Sequence, residues 1–132
     1  MRASPSPSPV QVFGVADSQA TRAAERWFRE RRIPVHVVDL RKRPIAPAEL
    51  RRFVERFGAR AVADTDGRSW RDSGLGYLSI DDDDLARRLH ADHRLLRLPL
   101  VRSGRALAIG RDEAAWKAVA AAATAPSVGP NR

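Results

Sequence analysis

A nucleophile is the first requirement of most covalent enzyme chemistry, and the 132 residues of this chain include no cysteine. The absence of a thiol excludes disulfides, thiolate metal sites and thiol redox reactions. Ser18, which follows Asp17, lies between a predicted strand and a predicted helix. A serine nucleophile needs an adjacent base, and no spacing in the sequence brings His36, His90 or His93 to it. Ser18 is therefore predicted to cap the helix, a position that serine strongly favours.

Metal-ligating residue types occur at two further places. Asp81–Asp84 is an unbroken acidic run, and His90 and His93 are three residues apart. Neighbouring residues on a helix point in different directions, so the carboxylates of the run are not expected to converge on one ion. The two histidines could share a helix face, but no third ligand accompanies them. We predict no metal site and no cofactor, and we assign the acidic run to a helix N-terminus, where negative charge is favourable.

The chain is strongly basic: 24 Lys+Arg against 16 Asp+Glu give a net charge of +8. The cations crowd one stretch, at Arg29, Arg31, Arg32, Arg41, Lys42, Arg43, Arg51, Arg52 and Arg56. Such a stretch could bind phosphates. Glutamates interleave with it, however, and no aromatic ladder or nucleic-acid motif accompanies it, which favours a solvated face of mixed charge. No specific nucleic acid is predicted as a partner, and an arginine-rich genome would produce the same composition.

One domain is expected, because 43% hydrophobic residues in a chain of this length can build a core. Residues Met1–Pro9 alternate Ser and Pro without an apolar segment, so they are predicted to be a disordered leader and not a signal peptide. Residues 124–132 are predicted to be a disordered tail, which leaves residues 10–123 as the domain. No apolar run approaches the roughly 20 residues that cross a bilayer, so a cytoplasmic location without membrane contact is expected.

The first part of the domain has the pattern of a strand, a helix and a strand. Val10–Gly14 is a short apolar run that ends in glycine, typical of a buried strand. Apolar residues then recur at helical spacing through Phe28. Pro34 ends that pattern, and Val35–Leu40 is predicted to be a second buried strand. Because a helix joins them, the two strands are predicted to be parallel with a right-handed crossover.

Helical patterns fill the middle of the chain. Pro47 suits a first helical turn and Gly58 a C-terminal stop, which predicts a helix between them. Its predicted apolar stripe is Leu50, Phe53, Val54 and Phe57. Ser79 precedes Asp82 at the spacing of a capping box, which predicts the start of another helix there. Leu85 and Leu89 would form the inner face of that helix.

The last part of the chain is predicted to be a hairpin and a helix. Leu100–Arg102 and Arg105–Ile109 are short strand-like segments, and Ser103-Gly104 between them is a turn signal. A final helix is predicted to begin near Arg111, with an inward face at Trp116, Val119 and Ala123. Two parallel strands, a helical stretch and an antiparallel hairpin define a small α/β domain.

The order of four segments resembles that of the arsenate reductase (ArsC)/Spx family. The segments are Val12-Phe13-Gly14-Val15 before a helix, Asp64-Thr65-Asp66-Gly67-Arg68-Ser69-Trp70-Arg71, Leu95-Leu96-Arg97-Leu98-Pro99-Leu100-Val101 and Ile109-Gly110-Arg111. The second is similar to an Asn-Thr-Arg-Gly-x-x-Trp-Arg motif in one bacterial subgroup. The resemblance implies a thioredoxin-like fold, with a mixed sheet of about four strands and a helical insertion before the C-terminal hairpin. It also implies that Pro99 is a cis-proline beside the active site.

The resemblance also implies a degenerate, cysteine-less member of the family. The position of the family's catalytic cysteine corresponds to Ser18, and a serine hydroxyl cannot form a mixed disulfide. The family's arginines that hold arsenate correspond to Asp64, Leu98 and Arg111, so Arg111 alone keeps a guanidinium. Asp64 and Asp17 would repel an oxyanion. No catalytic residue is therefore expected, and any ligand would be held by Asp17, Ser18, Pro99 and Arg111.

The predicted function is a binding or regulatory module without redox activity. Spx, a regulator in the family, contacts RNA polymerase, so the resemblance suggests a protein partner of that kind. Two alternatives remain open at this stage: an arsenate reductase-like or serine-dependent enzyme, and a protein that binds a small metabolite or anion in the old active-site pocket. A monomer is expected.

Overall fold

The computed structural model describes residues 9–124, and they form a mixed four-stranded sheet with helices on both faces. The strands are β1 (Val10–Gly14), β2 (Val35–Asp39), β3 (Leu100–Ser103) and β4 (Ala106–Ile109), in the spatial order β2-β1-β3-β4. β1 and β2 are parallel, whereas β1 pairs with β3, and β3 with β4, in antiparallel fashion. The α/β class and the mixed sheet of four strands are confirmed.

Within residues 9–124, six α-helices connect and cover these strands. They are α1 (Gln19–Glu30), α2 (Pro47–Phe57), α3 (Ala59–Val62), α4 (Arg68–Ser73), α5 (Asp82–Ala91) and α6 (Glu113–Thr124). Short 3₁₀ turns follow α4 and α5, at Leu75–Tyr77 and His93–Leu95. The helices between β2 and β3 are the helical insertion that was expected before the C-terminal hairpin.

Two hydrophobic clusters lie on opposite faces of the sheet, because side chains alternate along each strand. Val12 belongs to the cluster under α1 and α6, where Trp27 and Trp116 pack with ring centroids 5.9 Å apart. Phe13, the next residue, belongs to the cluster under α2 and α5, where it meets Phe53 edge to face at 6.5 Å. The helical insertion is therefore anchored to the sheet through its own core.

Local sequence signals account for the ends of α1 and α2. The predicted cap at Ser18 is confirmed, since its side chain accepts a hydrogen bond from the Thr21 N–H. Pro47 occupies the first turn of α2, and Gly58 ends that helix with a φ of +89°, which a residue with a side chain rarely adopts.

The predicted start of α5 was wrong. Ser79 does not cap this helix; Asp81 does, with its carboxylate accepting the Asp84 N–H at 2.8 Å. An aspartate beside the first helical residue is as good a cap as a serine, and the acidic run offered several. The predicted inner face, Leu85 and Leu89, is confirmed as buried.

Three further details differ from the prediction: the position of the hairpin turn, the burial of β2 and the start of α6. The hairpin turn is Gly104-Arg105 and not Ser103-Gly104, because Ser103 pairs with Ala106 as the last rung of the ladder. β2 is an edge strand that is only partly buried, not a buried strand, since a single neighbour covers it. Arg111 lies before α6, and the Asp112 carboxylate accepts a hydrogen bond from the Ala115 N–H in the first turn of that helix, at 3.1 Å.

The two predicted terminal segments lie almost wholly outside the described residues. Of the predicted leader only Pro9 is described, and of the predicted tail only Thr124, which is the last residue of α6. Within residues 9–124, none of the helices has both the length and the apolar character needed to span a bilayer.

Candidate functional site at one edge of the sheet

The strand register gathers the predicted site residues at one edge of the sheet. Phe13, near the end of β1, pairs with Leu100 at the start of β3, and Leu100 pairs with Ile109 at the end of β4. The loop that carries Ser18, the segment that carries Pro99 and the residues that follow β4 therefore meet at the same edge. A hydrogen bond from the Gly110 N–H to the Pro99 carbonyl, at 2.9 Å, joins the last two.

The Ser18 side chain is the N-cap of α1. Its Oγ accepts the Thr21 N–H at 3.1 Å, and its own N–H donates to the Val15 carbonyl at 3.1 Å. The described residues give the Ser18 side chain no histidine or carboxylate partner that could remove its proton. The geometry is that of a structural N-cap, not of an activated nucleophile.

Asp17 forms an ion pair with Arg41, a contact that sequence reasoning missed. Both side chains are more than half exposed. Arg41 follows β2, and its backbone N–H donates to the Asp39 carboxylate at 3.0 Å, which fixes the loop beside the end of β1. Arg41 offsets the Asp17 charge, so the repulsion of an anion by Asp17 is weaker than its sequence position suggested. The two residues lie 24 positions apart, and only the parallel pairing of β1 with β2 brings them together.

Asp64 lies beside the segment that enters β3. Ala63 forms an isolated bridge with Leu96, and the Asp64 N–H donates to the Leu95 carbonyl at 2.8 Å. The side chain folds over the following turn, where a Cβ on Gly67 would lie 2.4 Å from an Asp64 carboxylate oxygen. Asp64 therefore has a structural part in this turn.

A second carboxylate, that of Asp66, lies two residues further along the same turn and is exposed. The segment that the resemblance links, through Asp64, to one of the family's arginine positions therefore carries two carboxylates.

The peptide bond between Leu98 and Pro99 is cis, as the resemblance implied. Pro99 is buried, and Leu98 packs partly buried against the core of the insertion. Leu98 thus contributes an apolar contact at a position where the resemblance implies a guanidinium in the family. Its neighbour Arg97 supplies a cation that sequence reasoning did not single out.

Arg97 and Arg111 are the cations at the β3 and β4 side of this edge. The Arg97 chain crosses Gly110, where a Cβ would approach it to 3.0 Å, and Nη2 lies 3.5 Å from the Ala63 carbonyl. Its Nε is buried and has no hydrogen-bond partner in the described part of the chain. Arg111 is exposed, and residues 9–124 provide it with neither an ion pair nor a hydrogen bond.

The histidines and the acidic run make contacts of other kinds. His90 and His93 line a small cavity of about 130 Å³ together with Leu40 and Leu96, and His36 is exposed on the edge strand. Asp84 pairs with Arg87 at 2.7 Å. Among residues 9–124 there is no group of three or more His, Asp or Glu side chains placed to hold a metal ion.

Known structures of the same architecture extend over most of the chain. A YffB protein is 18% identical, with a TM-score of 0.77, and the match covers 84% of this chain and 98% of that one. An arsenate reductase from Vibrio cholerae is 17% identical, with a TM-score of 0.74 and coverage of 85% and 98%. An arsenate reductase (ArsC) related protein from Brucella melitensis is 17% identical, with a TM-score of 0.65 and coverage of 86% and 96%. No curated protein sequence matches the chain.

These similarities and the cis-proline edge define a thioredoxin-like α/β protein of the arsenate reductase type of fold. The family model of the ArsC family matches residues 13–119, which is most of the chain. The chain therefore belongs to the ArsC family. Structural likeness at these identities concerns the fold, and the activity has to be argued from the site.

Proposed function

We propose that this protein is an ArsC-family member without redox activity, and that it acts in the cytoplasm by binding another protein. The observation that carries the proposal is Ser18. At the position where the family has its reactive cysteine, this chain has a hydroxyl that caps α1 through the Thr21 N–H. The whole sequence contains no cysteine that could replace it, and reduction by a thiol needs a thiolate.

An exposed apolar pair supports the binding of a protein. Tyr77 is 94% exposed and Leu78 is 46% exposed, at the end of the 3₁₀ turn that follows α4. The fold gains almost nothing from a tyrosine in that position. Tyrosine is one of the residue types that carry most of the binding energy in protein interfaces. The resemblance to Spx makes RNA polymerase the partner of first choice.

Purified RNA polymerase from the native cell tests this partner in a direct binding measurement. We expect the wild-type protein to bind and the Tyr77→Ser, Leu78→Ser double variant to bind at least about tenfold more weakly, as loss of an interface anchor predicts. Phe57→Ser is the matched control, because Phe57 is 36% exposed on another element. Failure of the wild-type protein to bind, or equal weakening by the control, would overturn the assignment.

A second candidate function is binding of a small anion at the site edge. The observation in its favour is Arg97, whose buried Nε lacks a partner, together with the unpaired Arg111. In an NMR titration with a small anionic metabolite, this function predicts shifts of the Gly110 and Arg111 amide signals that Arg97→Gln abolishes. Unchanged signals at millimolar anion would exclude it.

A further inference from the structure

A second cleft lies at the opposite edge of the sheet from Ser18 and Pro99. It opens between the C-terminal half of α2 and the turn that joins β3 to β4, with a cavity volume of about 280 Å³. Its lining consists of Arg52, Glu55, Arg56, Gly104, Arg105 and Leu107. The four residues of β3 separate Pro99 at one edge of the sheet from Gly104 at the other. This cleft therefore shares no residue with the candidate site around Ser18 and Pro99.

Three arginines and one glutamate are among the residues that line the cleft. Arg56 uses one N–H to donate to the Arg105 carbonyl at 3.0 Å. The described residues offer Arg52 and Arg105 no side-chain partner, and Glu55 takes part in no ion pair. The cleft therefore holds an excess of positive charge and many free N–H donors. Planar guanidinium groups of this kind match the oxygens of phosphate.

The two walls of the cleft are held together by a mostly buried ion pair. Glu49 of α2 pairs with Arg102 of β3, and the two side chains are only 14% and 17% exposed. Arg102 also donates to the Gly104 carbonyl at 3.1 Å. This pair fixes α2 against the hairpin turn. Because the Glu49 carboxylate is paired with Arg102, it does not neutralise the arginines of the cleft. Arg52 and Arg56 on α2 and Arg105 on the hairpin turn therefore line a gap whose two walls are joined by this pair.

Helix electrostatics explain only part of this arrangement. A cation in the last turn of α2, such as Arg56, offsets the partial negative charge of the helix C-terminus. Arg105 lies on the hairpin turn and gains nothing from that helix, and Arg52 is more than one turn from its end. Convergence of cations from two elements on one gap points to an anion.

We propose that this cleft binds a small phosphate monoester that carries a hydroxyl group. The arginines would hold the phosphate dianion, Leu107 would contact the carbon atoms, and Glu55 would accept a hydrogen bond from the hydroxyl. The volume of the cavity suits a small molecule. A nucleic-acid backbone would need a basic stripe along the surface, whereas these arginines converge, and Glu55 would repel a polyanion.

Glycerol phosphate at pH 8 is the probe, with sulfate as a dianion that lacks a hydroxyl donor. We expect glycerol phosphate to shift the amide signals of Gly104 and Arg105 and to leave that of Gly110 unchanged. Arg52→Gln and Arg105→Gln should each weaken binding at least about tenfold, as loss of a charge-assisted hydrogen bond predicts. Arg88→Gln, which removes an equally exposed charge from α5, should leave the affinity unchanged.

Glu55→Ala, which removes both the charge and the hydrogen-bond acceptor, tests the class of ligand. We expect it to strengthen sulfate binding by removing repulsion and to abolish the preference for glycerol phosphate over sulfate. Equal weakening by Arg88→Gln, or shifts at Gly110 instead of Gly104, would overturn the proposed site. Tighter binding of a single-stranded DNA oligonucleotide, with all arginine variants affected alike, would overturn the small-molecule assignment in favour of a polyanion surface.

Discussion

The hydroxyl of Ser18 accepts its hydrogen bond from the backbone N–H of Thr21, three residues further along α1. The resemblance implies that the family's reactive thiol occupies the same place, with its pKa lowered by the N–H groups of the helix. In this chain one of those N–H groups is already occupied by the cap. On that correspondence, the serine converts a reactive position into a structural one.

Loss of the cap should destabilise the protein without unfolding it. We expect Ser18→Ala to lower the free energy of unfolding by about 1 kcal/mol, the usual effect of removing a serine N-cap. Urea denaturation followed by far-UV circular dichroism measures it. Ser18→Asp, which keeps a good cap, should restore most of the stability. No change in the alanine variant would show that the hydrogen bond contributes nothing.

A cysteine at the same position should not restore the chemistry of the family. Ser18→Cys should give a thiol whose alkylation rate reports a pKa below that of a free cysteine, because the helix N-terminus favours the thiolate. Arsenate turnover should still be absent, since Asp64 and Leu98 stand where the resemblance implies guanidinium groups. Rapid turnover by this single variant would mean that only the sulfur had been lost.

The ion pair between Glu49 and Arg102 should contribute more to stability than any other described here. Its side chains are much less exposed than those of the remaining pairs. Glu49→Gln leaves Arg102 without its charge partner, and we expect a loss of about 2 kcal/mol, below the range for a fully buried pair. Asp84→Asn, which breaks the exposed pair with Arg87, is the control and should cost less than about 0.5 kcal/mol.

Raising the sodium chloride concentration distinguishes the contribution of the Glu49–Arg102 pair from that of the exposed Asp84–Arg87 pair. The exposed pair should lose its contribution as salt rises, whereas the Glu49 contribution should persist, because screening acts weakly on groups withdrawn from water. Equal losses for the two variants at low salt would contradict the ranking.

Acid should remove a contribution to stability that comes from Asp92. The hydrogen bond from the Arg94 side chain holds the pKa of this carboxyl below its ordinary value of 3.8. A lowered folded-state pKa means that the stabilisation is complete above the unfolded-state value and disappears as the pH falls through the folded-state value. The difference in the free energy of unfolding between wild type and Asp92→Asn, measured by urea denaturation, should therefore be largest at pH 6 and shrink as the pH falls below 3.8. A constant difference across that range would contradict the assignment.

Elements with strong local signals could be predicted from sequence, and contacts between distant residues could not. Pro47 and Gly58 bounded α2 correctly, and the apolar runs located all four strands. Ser79 and Asp81 are both residue types that cap helices, and the structure assigns the cap of α5 to Asp81. The partial burial of β2 depends on its edge position, a property of the whole sheet.

The charges at the candidate site show the same division. Asp17 could be predicted as a site residue because it adjoins Ser18. Its partner Arg41 could not be predicted, because only the pairing of β1 with β2 brings Arg41 close to Asp17. Arg97 was not predicted as a site residue, because the resemblance matched the neighbouring Leu98, and not Arg97, to an arginine of the family. The pairing of Glu49 with Arg102 spans 53 positions and had no signal in either segment.

Arsenate turnover by the purified wild-type protein tests the central claim most directly. The assay supplies glutathione with glutaredoxin, or thioredoxin with its reductase, and follows NADPH oxidation at saturating arsenate. The account predicts a rate equal to that of the same mixture without the protein, because no residue of the chain can form a mixed disulfide. Turnover that survives repurification and is abolished by Ser18→Ala would contradict it.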